Sequence, residues 1–329
     1  MRIVFMGTPD FAAGSLEAVI EAGHDVAAAV TGEDKPVGRG NKVQMCAVKQ
    51  VAVQHNIPVL QPHRVRGNDE FLEQLKSLHP DIIIVAAYGK IIPKEILELP
   101  EYGCINVHAS LLPDYRGAAP IQWAVIDGRE VSGVTIMQMD EGLDTGDMVA
   151  VKEIKLAPDE TGGSLFERLS RAGAELLVET LDRIAEGTTE PVPQPEESPT
   201  PYARMIRKED GLIDWSEPAV KIERLIRGLN PWPSAYTGLD GKMLKIWAAD
   251  VVEHNAADVV EDNAADAAED DAAMEHIPGT VFAIGNKSFS VQTGNGALRI
   301  RELQLAGKKR MDAGAFLRGF HLQEGTVLK

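Results

Sequence analysis

A chain of 329 residues, 44% hydrophobic and 25% charged, has material for more than one core, and two domains are the natural expectation. Two cysteines, Cys46 and Cys104, exclude a disulfide scaffold and suit a reducing compartment; with no apolar run near ~20 residues and too short an apolar N-terminus for a signal sequence, a soluble cytoplasmic protein is expected. The formal charge of −17 argues against a nucleic-acid partner only if evenly spread, and nine of the acids fall between Glu253 and Glu275 without a Lys or Arg, so that removing them leaves −8 and a local basic face stays open.

Arg2 to Met6, then Gly7-Thr8-Pro9-Asp10, then a helical pattern ending near Ala22 with Gly23 as its stop, read as strand, turn and helix. The turn lacks GxGxxG, so a dinucleotide fingerprint is missing where it would be expected. Strand patterns recur at Val26 to Val30, Ile57 to Leu60, Asp81 to Ala86 and Cys104 to Val107, with helical patterns at Val48 to Gln54 and Glu70 to Leu78. This alternation predicts an α/β fold, a Rossmann-like and mostly parallel sheet with Asp81 to Val85 buried on both faces. Between Thr31 and Met45 the pattern breaks into TGEDKPVGRGNKVQM, a flexible loop that carries Lys35, Arg39 and Lys42.

The stretch from Gly103 to Trp123, GCINVHASLLPDYRGAAPIQW, places Asn106 and His108 at a strand end, followed by Ser110, Pro113, Tyr115, Arg116 and Gly117. A further strand pattern, Val134 to Met139, leads into DEGLDTGD, from Asp140 to Asp147, which is expected to return Asp144 to the crevice beyond the strand ends. A long helix spans Ser164 to Gly187, with Ser164-x-x-Glu167 as a capping box. Five prolines between Glu190 and Tyr202 read as an extended surface linker. A helix at Ala219 to Gly228 and short strands at Gly279 to Ala283, Ser288 to Gln292 and Leu298 to Leu305 predict a small OB-like β-barrel. The expected division is a catalytic domain at 1–189, a proline-rich linker at 190–208 and the barrel domain at 209–329. Within the barrel, 253–275 is read as a disordered acidic insertion without chemistry.

An imidazole beside a carboxylate can take or give a proton near neutral pH, and an Asn amide can donate to an oxygen that becomes negative in a transition state. Asn106, His108 and Asp144 therefore suit attack on a carbonyl. No Gly-x-Ser-x-Gly elbow is present and neither cysteine lies beside a His in sequence, so the nucleophile is expected to belong to the substrate. No HExxH or Cys/His cluster indicates a metal.

The runs CINVHASLLPDYRGAAPIQWAV and GVTIMQMDEGLDTGDM resemble the core of the folate-dependent formyltransferases. FMGTPDFA, KPVGRGNK, NPWP at Asn230 to Pro233 and AGKKRM at Ala306 to Met311 are similar to the branch acting on methionyl-tRNA, and the resemblance covers nearly the whole chain apart from the acidic insertion. It implies transfer of a formyl group from 10-formyltetrahydrofolate to the amino group of methionine on initiator tRNA. Asn106, His108 and Asp144 match the catalytic positions: Asn106 and His108 would stabilise the oxyanion, while Asp144 orients His108 and helps move protons. Ser110, Leu111, Leu112 and Pro113, with Ala87, Gly89 and Asp140, would line the folate site. Lys35, Arg39 and Lys42 would approach the acceptor end of the tRNA. On the barrel, Lys308, Lys309 and Arg310, with Arg299 and Arg301, would meet phosphates. A monomer is expected. The alternatives are a formyltransferase for a small amine, of the glycinamide ribonucleotide or amino-sugar type; a dinucleotide-dependent oxidoreductase, opposed by the missing GxGxxG; and a non-enzymatic RNA-binding protein, which leaves Asn106, His108 and Asp144 without a purpose.

Overall fold

A computed structural model describes residues 1–37, 42–252 and 277–329. Arg39 and the acidic stretch Glu253 to Glu275 lie outside the described residues. Two compact units are formed, one by Met1–Ile121, Glu130–Ala157 and Ser164–Met205, the other by Gln122–Arg129, Pro158–Gly163 and Ile206–Lys329.

The chain opens with β1 (Arg2–Gly7), α1 (Asp10–Glu21), β2 (Asp25–Val30), the short antiparallel pair β3 (Lys35–Val37) and β4 (Lys42–Gln44), and α2 (Ala47–Gln54). It continues with β5 (Val59–Leu60), α3 (Asp69–Ser77), β6 (Ile82–Ala86), α4 (Lys94–Leu97), β7 (Cys104–His108), α5 (Pro120–Ile126), β8 (Val131–Gln138), β9 (Met148–Lys155) and α6 (Gly162–Ala185). Seven strands form one sheet in the order β5-β2-β1-β6-β7-β8-β9. It is parallel from β5 to β7, and antiparallel where β8 and β9 join. Strand order reverses at β1, which lies between β2 and β6, and such a switch point is where open α/β sheets leave a crevice for ligands.

Sequence explains most of these elements locally. β6 is IIIVA, buried at every residue between β1 and β7, as a strand covered on both faces must be. Asn68 caps α3 by accepting from the Phe71 N–H, and Asp69 and Glu70 follow at its positive end. Val4, Met6, Ile83, Val85 and Cys104 pack with Phe71 and Leu75 of α3. The opposite face carries α1 and α6: Phe11 meets the edge of Phe166, and Gly173 lets α6 close on Val107 and Val134. The start of α6 differs from expectation. It begins at Gly162, so Ser164 lies inside the first turn rather than ahead of it. Close packing sets this start, since the Gly163 N–H donates to the Asn230 carbonyl and a Cβ on Gly162 would fall 2.3 Å from the Gly228 oxygen.

The second unit contains α7 (Ala219–Gly228), β10 (Ala235–Leu239), β11 (Lys242–Val252), β12 (Val281–Phe282), β13 (Phe289–Gln292), β14 (Ala297–Leu305), β15 (Met311–Asp312) and α8 (Ala313–Gly319). Its antiparallel sheet runs β10-β11-β14-β13-β12 with β15 on β14, curled around Trp215, Ile222, Phe289, Leu298 and Phe316. The pairing of β11 with β14 slips on either side of Ala248, an irregularity that bends a strand, and the result is an OB-like half-barrel. β10 and β11 follow the NPWP segment.

Candidate active site

Asn106 and His108 are two residues apart on β7 and so project from the same face. Asn106 lies between Val85 of β6 and Met137 of β8, half-buried at the polar end of an otherwise apolar strand. Its carboxamide has no hydrogen bond to another described residue. A partly buried amide of this kind has its donors available to a ligand. His108 is buried, and its Nε2 lies 3.1 Å from the Tyr115 carbonyl. A carbonyl can only accept, so Nε2 carries the hydrogen and the ring is fixed from that side. Nδ1 then faces Asp144 Oδ1 at 3.8 Å, within ion-pair reach and too far for a direct hydrogen bond. Tyr115, not Asp144, makes the hydrogen bond that sets the ring.

Asp144 reaches this point by an unexpected route. Because β8 is antiparallel to β7, it ends opposite the start of β7, where the Met139 N–H meets the Cys104 carbonyl. The loop after β8 must therefore run back along β7 to bring a carboxylate to His108. It is closed at its stem by the Gln138 N–H donating to the Asp147 carbonyl, and within it Asp140 Oδ1 accepts from the Gly142 N–H (3.0 Å) and the Thr145 hydroxyl (2.8 Å). Asp144 has φ 56, and its Oδ2 accepts from the Gly117 N–H at 2.9 Å. Gln194 donates to the backbone carbonyls of Asp144 and Gly146.

Ser110 to Pro113 is held from two sides. The buried Thr135 hydroxyl of β8 donates to the Ser110 carbonyl and accepts from the Leu112 N–H. From the proline-rich segment, Ser198 donates to the Pro113 carbonyl and Thr200 accepts from the Tyr115 N–H. That segment is thus laced to the site and is not a free connection over the surface. Ala87 (φ 45) and Gly89 (φ 75) form an exposed turn just beyond the carboxyl end of β6. Beneath it, burial pushes the Tyr88 phenol up to about 12, and burial does the same to the Cys104 thiol. Burial thus disfavours the ionised form of both groups.

The chain leaves β2, which is parallel to β7, at its carboxyl end, so Thr31 to Asp34 lie at the same end of the sheet as His108. The Gly32 N–H donates to Thr8, and Lys49 bridges Asp34 (2.5 Å) and Gln61 (2.7 Å). Hydrogen bonds from Lys49 and then Gln61 hold the Asp34 carboxyl below the usual carboxylate range. The stability this contributes is present above about pH 4 and is lost as pH falls through the lowered value. Asp34→Asn is accordingly expected to unfold at lower urea than the parent near neutral pH, with the gap closing on acidification below about pH 4. A gap that stays constant in that range would contradict it.

In the second unit Lys308 and Lys309 are exposed in the turn before β15. Arg310 lies 4.8 Å over the Trp247 ring and pairs with Glu302, while Arg301 pairs with Asp250. Two of the expected phosphate-binding cations are therefore already engaged with carboxylates. Sequence reasoning did not single out Gln194, Thr135 or Thr200. Only the folded contacts mark them, since Gln194 sits in a proline-rich run and Thr135 in an apolar strand.

The family model described as "Formyl transferase" matches residues 1–181, and "Formyl transferase, C-terminal domain" matches 205–321. A methionyl-tRNA formyltransferase of Agathobacter rectalis is 56% identical over 326 residues, covering 99% of both chains, and that of Caldanaerobacter subterraneus subsp. tengcongensis is 50% identical over 329 residues, covering 100% of both. Among solved structures, an N-formyltransferase of Helicobacter canadensis in complex with folinic acid and dTDP-3-aminofucose has a TM-score of 0.63 at 18% identity, over 94% of this chain and 99% of that one. HypX from Aquifex aeolicus in complex with tetrahydrofolic acid has a TM-score of 0.58 at 19% identity, over 96% of this chain; this chain spans about half of that one, 47%. The likeness to these two structures concerns the fold. With both family models in sequence and relatives of this identity along its full length, the chain belongs to the methionyl-tRNA formyltransferases.

Proposed function

We propose that this chain transfers the formyl group of 10-formyltetrahydrofolate to the free amino group of methionyl initiator tRNA, giving the N-formylmethionyl form used to initiate translation. The observation that carries the reading is the meeting of Asn106, His108 and Asp144 at one strand end, in a chain related throughout to enzymes of that name. The folate supplies the formyl carbon; what the protein supplies is a set of fixed donors and acceptors. Asn106 donates to the formyl oxygen as it gains negative charge, and His108, held through Nε2 by Tyr115, presents Nδ1 beside it. Nδ1 and Asp144 Oδ1 lie 3.8 Å apart, so a proton leaving the amine has an acceptor in either, and it passes on to the folate nitrogen as that nitrogen's bond to the formyl carbon breaks and tetrahydrofolate departs. The Asn106 amide, without a hydrogen bond to another described residue, the exposed turn at Ala87 and Gly89, and the double-stapled Ser110, Leu111, Leu112 and Pro113 suit a folate at this end of the sheet. Asp140 contributes there by shaping its loop through Thr145 and Gly142.

Lys35, Arg39 and Lys42 are assigned to the acceptor end of the tRNA, and Lys308, Lys309 and Arg310 to phosphates of its body. We assign 1–189 as the catalytic domain, 190–208 as the segment that leads on from it while bonding to its site, and 209–329 as the tRNA-binding domain. Free thiols at Cys46 and Cys104 support a cytoplasmic setting, and no helix among the described residues is long and apolar enough to cross a membrane. A monomer is the assigned state, to be checked by sedimentation.

The direct test is incubation with charged initiator tRNA and 10-formyltetrahydrofolate, followed by mass analysis of the released aminoacyl end. One added formyl group on methionine is expected. Formylation of glycinamide ribonucleotide or an amino sugar, with charged tRNA neither formylated nor competing, would replace this reading with the small-amine one. Arg39 separates the two further. A guanidinium can reach phosphate bidentately or stack on an unpaired base, and an ammonium cannot do both. Arg39→Ala is expected to weaken productive use of tRNA, to flatten its salt dependence by about one unit or less, and to leave folate affinity unchanged, with Arg39→Lys restoring only part. An unaltered kcat/KM on charged tRNA removes the loop from the mechanism.

A further inference from the structure

Asp144 is held at His108 against the direction in which its strand delivers it, so something outside the loop must keep it there. Its carboxylate is fixed by the Gly117 N–H. The loop backbone is fixed by one side chain from a distant part of the sequence: Gln194 Nε2 donates to the carbonyls of Asp144 (3.1 Å) and Gly146 (2.6 Å). The oxygen of the same carboxamide accepts from Arg116 twice, from Nε at 3.1 Å and Nη2 at 2.9 Å.

Arg116 explains why the amide faces this way. Its guanidinium is buried, and its remaining partners are the carbonyls of Pro195 (2.7 Å) and Glu196 (3.0 Å). A guanidinium only donates, so the Gln194 oxygen must face Arg116 and the NH2 group must face the Asp144 loop. Arg116 also adjoins Gly117, which holds the carboxylate. One cation thus fixes the polarity of the amide that positions the loop, from beside the N–H that positions the carboxyl group.

We propose that Gln194 is a positioning residue for formyl transfer, holding the Asp144 loop over His108 while Arg116 sets its amide. The proposal rests on the assignment of Asp144 to the reaction. Two substitutions separate its two ends. Gln194→Ala removes both sets of bonds. Gln194→Glu keeps an acceptor for Arg116 and turns an oxygen toward two carbonyls that cannot donate to it. Both are expected to lower kcat about 10-fold to 100-fold, the scale of a small misplacement of a reacting group, with KM for tRNA and for folate within about 2-fold of the parent.

In an Asp144→Asn background, Gln194→Ala is expected to cost less than about 2-fold more, because a residue acting through Asp144 has little left to position. Near-parent kcat in Gln194→Glu would mean that only the bond to Arg116 matters, and would overturn the proposal. So would a full multiplicative loss in the double variant, or a harmless Gln194→Ala where Asp144→Asn alone is severe. If Asp144→Asn itself keeps turnover, the assignment of Asp144 fails, and the proposal falls with it.

Discussion

His108→Ala and Asp144→Asn are each expected to lower turnover on charged initiator tRNA by about 100-fold or more, the usual share of a positioned proton acceptor, with tRNA affinity nearly unchanged. Asn106→Ala is expected to lose a similar factor, ~100-fold to 1000-fold, as one donor to a developing oxyanion is removed. The choice of Asn at 144 matters. Asp144 has φ 56, a left-handed conformation that Asn tolerates and Ala resists, so the amide isolates loss of charge from backbone strain. The Gly117 N–H can still find an oxygen on the new side chain, which keeps the loop in place. Because Nδ1 and Oδ1 lie 3.8 Å apart and act on one proton path, the double variant is expected to lose far less than the product of the two single losses. Single-turnover rates with tRNA binding measured in parallel are the check. Less than a tenfold loss in either single variant would take His108 or Asp144 out of the proposed proton path.

The parts of the site legible in sequence are those that local pattern determines. Cys104 to His108 reads as a buried strand running into polar residues, and the spacing of Asn106 and His108 puts both on one face. The direction of a strand leaves no such trace. Nothing in Val134 to Met139 says that β8 runs against β7, and a parallel strand there would deliver the loop after it directly to the carboxyl ends. The loop still reaches His108, but by folding back, and that route creates the need for Gln194. β9 leaves little trace for a different reason: MVAVKEIK buries little of itself beyond Val149, so its pattern is that of an exposed edge and not of a core strand. The proline-rich run shows how composition misleads. Prolines limit ladder formation, which makes a linker plausible, yet Gln194, Ser198 and Thr200 bond to the site through side chains, and composition has no bearing on that.

Gly146→Ala is expected to damage both the fold of this loop and the reaction, and its neighbour Gly142 provides the control. A Cβ on Gly146 would lie 1.7 Å from the Gln138 carbonyl oxygen, a backbone atom tied into the stem of the loop. Neither partner can yield by a side-chain rotation, so the stem must open and Asp144 must move. Overpacking of this kind costs about 1–3 kcal/mol of stability. A shift of Asp144 from His108 on the order of 1 Å corresponds to a further loss of about 100-fold in turnover. A Cβ on Gly142 would meet a different obstacle, the Thr145 hydroxyl at 1.9 Å, with the next atom of that side chain at 3.1 Å. That hydroxyl can turn away at the cost of its bond to Asp140, so Gly142→Ala is expected to lose about 1 kcal/mol and keep most of its turnover. Urea unfolding and single-turnover kinetics on both variants decide the matter. Equal, small losses at 142 and 146 would mean that the loop adjusts freely, and that the return of Asp144 to His108 does not depend on this close approach of chain to chain.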